Sequence, residues 1–189
     1  RPKPVAQKNQ GAWKVTPPGT ELGLDPFYKK HVSIHGFPII SSEKTSDYSL
    51  NEAAYLIDKM IGHRPDILDN MIRRKVRLVV MAHNEFTTQV PEHSHLKPAK
   101  FWDKRARGLG SSRSDPVVSC GEENLLCMPG DPYNTENILI HEFAHAIHQM
   151  GLIEVDPSFD GRLKMTWQRA LDQGLWDGTY AATNHFEYW

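Results

Sequence analysis

The stretch Thr135-Glu136-Asn137-Ile138-Leu139-Ile140-His141-Glu142-Phe143-Ala144-His145-Ala146-Ile147-His148-Gln149-Met150-Gly151 decides how this chain is read. Residues 135–150 read as its strongest helix. Asn134 or Thr135 can cap the start, Glu136 lies in the first turn, and Gly151 is placed to end it. Ile138, Leu139, Ile140, Phe143, Ala144, Ala146 and Ile147 make the helix apolar nearly all round, which predicts burial. His141 and His145 stand one turn apart and project from one face. Glu142 is rotated from His141 by about 100°. Polar side chains on a buried helix need partners, and a metal ion supplies one. The pattern fits the H-E-x-x-H signature. It makes His141 and His145 expected ligands of Zn2+ and Glu142 the expected general base, since zinc lowers the pKa of bound water to about 7.

Around this helix the chain reads as a mixed α+β domain. Ser49 and Glu52 have capping-box spacing, and Ala53, Leu56, Ile57, Met60 and Ile61 recur at helical intervals up to Gly62. A second helix is expected from Pro65, a strand over residues 76–82, loops with room for an edge strand over 84–115, and a strand over 116–120. Residues 124–128 read as a further strand, 159–173 as a helix, and a last helix starts near Asn184. The prolines of residues 1–26 predict an extended amino-terminal arm, leaving 27–189 as one domain.

Composition sets outer limits. The 189 residues carry 22 basic and 23 acidic side chains, a net charge of −1, which gives no pull toward nucleic acid. No apolar run approaches the roughly 18 residues of a membrane span. The chain begins at Arg1 and reads as a mature form whose targeting segment has been removed, secreted or extracytoplasmic. The spacing of Cys120 and Cys127 suits a small disulfide loop in such a protein. The strand at 116–120 is the candidate substrate-pairing edge. Arg105, Arg107 and Arg113 suit either acidic substrates or a solvated loop.

Catalytic zinc usually takes three protein ligands and keeps one position open. Three candidates compete for the third place. His148 shares the face of His141 and His145 but lies about 10 Å from His141 along the axis. His93 and His95 sit in a polar loop beside Glu92. Glu187 falls in the first turn of a terminal helix that Asn184 can cap.

The helix motif, followed by Tyr180 and then Glu187 with Thr183 and Asn184 between, resembles the catalytic domain of the anthrax lethal factor family. Those proteins are gluzincin metallopeptidases. The resemblance covers about the last third of the chain. It implies a zincin-like fold with a small mixed sheet and an active-site helix, Zn2+ on His141, His145 and Glu187, a Tyr180 that assists catalysis at the oxyanion, and a protein or peptide substrate. One departure stands out: the chain stops at Trp189, so the terminal helix needs either more chain or another segment packed over it. Two other functions share the motif: hydrolysis of a glycan amide or ester on the same fold, and a non-catalytic binding module with structural zinc.

Overall fold

The computed structural model describes residues 13–189. Residues 1–12, the first part of the expected arm, lie outside them. Trp13 and Val15 pack against the core, and Thr16 bridges to His31 through two backbone hydrogen bonds of 3.0 and 2.7 Å.

The sheet begins with a hairpin. β1 (Lys30–Ile34) and β2 (Phe37–Ser41) pair antiparallel across His35 and Gly36. Both turn residues have positive φ, 49° and 91°, the twist a two-residue hairpin favours. α1 (Asp47–Ile61) follows, capped by the Ser46 hydroxyl, which accepts from the Tyr48 N–H. The cap lies upstream of Ser49, which is buried inside the helix and donates its hydroxyl to the Ser46 carbonyl at 2.6 Å. α2 (Pro65–Arg73) opens on a proline and leads to β3 (Arg77–Met81).

α3 (Ala99–Arg105) interrupts the stretch expected to be loops, and β4 (Gly108–Leu109) is the short strand for which that stretch left room. β5 (Val117–Gly121) runs straight into α4 (Glu122–Leu125). The strand expected over 124–128 is therefore not there. Asn124 explains the difference: its side-chain amide reaches Asp131, Tyr133 O and Glu136 O, and its oxygen accepts the Ile138 N–H at 2.8 Å. A strand would aim this side chain elsewhere.

α5 (Ile138–Ala146) starts three residues later than expected, because Asn137 is the cap and accepts from the Ile140 N–H. It continues through a π-helical turn (Ile147–Leu152) into α6 (Ile153–Val155). α7 (Phe159–Asp172) and α8 (His185–Tyr188) complete the chain. Among the described residues no helix is long and apolar enough to cross a membrane.

The five strands lie in the order β1-β2-β3-β5-β4. β2, β3 and β5 are mutually parallel, and both outer strands run antiparallel. β5 is thus an interior strand, buried at every position, and not the edge expected from sequence; β4 is the edge. Alternation sends Leu78, Val80, Val118 and Cys120 to the core shared with α1, α2 and α5, and Val79, Met81 and Val117 to a smaller cluster with Tyr28 and Val90. Phe37 and Phe143 meet edge to face at 5.5 Å and seat α5 on the sheet.

The expected disulfide does not form. Both cysteines are free, Cys120 buried under α5 and Cys127 exposed. The intervening α4 carries the chain from the core to the surface, so one cysteine would have to leave its environment to reach the other. Their spacing therefore says nothing about compartment.

Candidate metal centre

Three side chains from two distant parts of the chain converge. His141 and His145 come from α5, and Glu187 from α8. His141 Nε2 and His145 Nε2 are 3.2 Å apart, and Glu187 Oε2 lies 3.3 and 3.5 Å from them. For tetrahedral bonds of zinc length, two ligand atoms should be about 3.4 Å apart. Glu187 Oε2 is buried with no hydrogen-bond partner among the described residues. Converging lone pairs with so few protons between them are costly unless a cation joins them, so the residues present fit a divalent ion. Burial holds the His145 imidazole below its ordinary pKa against the pull of Glu187, which favours the neutral, ligating form.

Glu142 stands beside this triangle rather than in it. Its carboxyl is pushed up to about 7, chiefly by burial; His141 opposes the shift, and Glu187 and Glu136 add to it. A carboxylate tuned toward neutrality is suited to taking and returning a proton. The edge strand comes close to it through glycines. A Cβ at Gly110 would lie 3.0 Å from Glu142 Oε2, and one at Gly108 only 2.2 Å from Ile138 Cγ2. Sequence reasoning passed over both, because close approach of a strand to a helix has no local signature.

Tyr180 opens a 3-10 turn (Tyr180–Ala182), and its ring lies nearly parallel to that of His141 with centroids 6.2 Å apart. The residue is 66% exposed and borders the cleft. Burial, then Glu187 and Glu142, raise its phenol pKa, so it carries its proton at neutral pH. A cavity of about 520 Å3 extends from Glu142 along β4, with Trp102, Arg105, Tyr133 and Tyr180 on its walls.

The other candidates lie elsewhere. His148 faces Asp160. His93 is buried with Nε2 3.0 Å from Ser119 Oγ, and His95 Nδ1 meets Glu92 O. Arg107 is occupied by Glu123 and by the carbonyls of Ala82 and Glu85. Arg113 lines a separate cavity beside His148, whereas Arg105 and Arg107 both border the cleft by Glu142, Arg107 with its guanidinium already engaged.

The fold has a counterpart among solved structures. It is the Pro-Pro endopeptidase of Paenibacillus alvei. The two share 19% sequence identity, with a TM-score of 0.51 over 79% of each chain. At that identity the likeness to the endopeptidase is one of fold. No protein-family model matches the chain, and no curated protein matches it.

Proposed function

We propose that this chain is a metal-dependent peptidase, with His141, His145 and Glu187 as its zinc ligands and Glu142 as general base. The observation that carries the reading is the convergence of His141 Nε2, His145 Nε2 and Glu187 Oε2 within 3.5 Å, with Glu142 alongside. Bound Zn2+ with three protein ligands and an open position would supply a Lewis acid that polarises a carbonyl and lowers the pKa of water. Glu142 takes the proton from the water as its oxygen forms the new bond to the peptide carbon. It then gives that proton to the nitrogen as the C–N bond breaks. The Tyr180 hydroxyl donates a hydrogen bond to the carbonyl oxygen as negative charge gathers there.

An extended peptide suits the cleft. β4 is the outermost strand on this side, next to the motif helix, so its free edge is available for backbone pairing. The aromatic walls formed by Trp102, Tyr133 and Tyr180 suit flat or cyclic side chains. A fold shared with a Pro-Pro endopeptidase favours a peptide over a glycan amide or ester.

Replacing Glu142 with Gln tests this. The variant should hold zinc at the wild-type ratio by elemental analysis and lose cleavage across a peptide library. Undiminished cleavage by Glu142→Gln would remove the proposal.

A further inference from the structure

Glu187 lies in a helix of four residues. Three contacts fix that turn and its position against the rest of the fold. Asn184 accepts the N–H groups of Phe186 and Glu187 at 2.9 and 3.1 Å, which fixes the turn internally. The Trp189 indole N–H donates to the Ala144 carbonyl at 2.9 Å, which docks the last residue on the motif helix.

A third tether runs through Asp160 of α7. His185 Nε2 lies 3.0 Å from Asp160 Oδ1, and His148 Nε2 lies 3.1 Å from the same oxygen. A carboxylate only accepts, so His185 presents Nε2–H to it, and the edge of the His148 ring lies against the same oxygen. His148 is 4% exposed, its ring set against Phe159 and Phe186. It belongs to the same continuous helix as His141 and His145. One oxygen therefore joins the helix bearing two ligands to the residue two places before the third.

We propose that Asp160, acting through His148 and His185, positions Glu187 for the metal. This rests on the reading of His141, His145 and Glu187 as ligands. Asp160 touches no ligand atom, so its effect is on geometry. Outlying partners that orient ligands commonly change metal affinity by about 10–100-fold.

The test is zinc affinity of the full chain, measured by competition with a chelating dye, alongside the thermal midpoint of the metal-free protein. Asp160→Ala should weaken zinc binding by about 10–100-fold. His185→Ala should show the same loss, and the double variant no more than either, because both act through one contact. His185→Gln, whose amide N–H can reach the same oxygen, should recover most of the affinity. A merely structural Asp160 would lower the metal-free midpoint while the folded protein bound zinc as the wild type does. That result in Asp160→Ala, or in the isosteric Asp160→Asn should the alanine variant not fold, overturns the proposal. Glu187→Ala separates the two levels. If it binds zinc as tightly as the wild type, the ligand reading fails and takes this inference with it. If it loses zinc while both Asp160 variants keep it, only the inference fails.

Discussion

Glu122 shows how one buried carboxylate can hold three parts of the fold. One oxygen accepts the Ser46 N–H at the cap of α1; the other accepts the His83 N–H and lies 2.9 Å from His83 Nδ1. Burial alone would raise its pKa, but the two backbone N–H groups and the imidazole together bring it below the ordinary value. A depressed folded-state pKa means stability that is present in full above the unfolded value, about 4.3 for Glu, and lost as pH falls through the folded one. Glu122→Gln should therefore cost about 1.5–3 kcal/mol at neutral pH, and its deficit against the wild type should shrink in denaturant titrations carried below the ordinary glutamate range. A deficit independent of pH would mean that the charge is not what holds these N–H groups. Tyr180 makes a different prediction. Tyr180→Phe keeps the ring beside His141 and removes only the hydroxyl, so kcat should fall by about 10²-fold or more with zinc content unchanged. Equal kcat in the two proteins would exclude the phenol from the reaction. At this scale the sequence is uneven. The grouping of His141 with His145 is legible because helical spacing is local. Tyr180 and Glu187 stand at the far end of the chain, where no periodicity points to them and only the resemblance to a known family does. Asp160 carries no signal at all, because its two partners are brought to it by tertiary packing.

Two helical glycines separate what an element wants from what its neighbours allow. Gly161 lies within α7 with open space where a Cβ would be. Gly151 lies in the π-helical turn, where a Cβ would come within 2.4 Å of Ile67 Cγ2 and 3.1 Å of Met71 Cγ on α2. Alanine at 161 should stabilise the protein by about 0.5–1 kcal/mol through helix propensity. Alanine at 151 should destabilise it by about 1–3 kcal/mol through overpacking. Paired urea titrations would show opposite signs, and two shifts of the same sign would refute the packing argument. The same contrast explains why the carboxyl end of the motif helix differs from the expectation. From sequence Gly151 is a helix stop, yet the helix runs through it to Val155. Gly151 is small because α2 comes close, and its carbonyl accepts from Asn70 Nδ2 at 3.1 Å. The amino end differs for a related reason: Asn124, from another element, satisfies the Ile138 N–H and so favours a start later than Thr135.

At the scale of the molecule, amphipathic helices and apolar strands were legible, and the order β1-β2-β3-β5-β4 was not. Apolar runs such as residues 116–120 look alike whether interior or edge, and only the pairing of two-residue β4 outside β5 decides between them. That arrangement leaves the motif helix beside the edge strand, with residues 185–189 folded back against the motif helix. A metal shared by α5 and α8 would then be a cross-link between the middle of the sequence and its end. Ligand that binds only the folded state stabilises it by about 4 kcal/mol at a thousandfold excess over Kd, and here the gain should be concentrated on the segment that has least of its own. Residues 173–179, between α7 and the 3-10 turn at Tyr180, are exposed throughout. Stripping the metal with a chelator should therefore lower the thermal midpoint and, before global unfolding, open this segment to limited proteolysis; added zinc should reverse both. Glu187→Ala should resemble the stripped protein even with zinc present, because the cross-link is missing its terminal anchor. If stripped and zinc-loaded protein melt together and are cut at the same rate between α7 and α8, then the end of the chain is held by Trp189, Asn184 and Asp160 alone, and the metal is not part of what holds it.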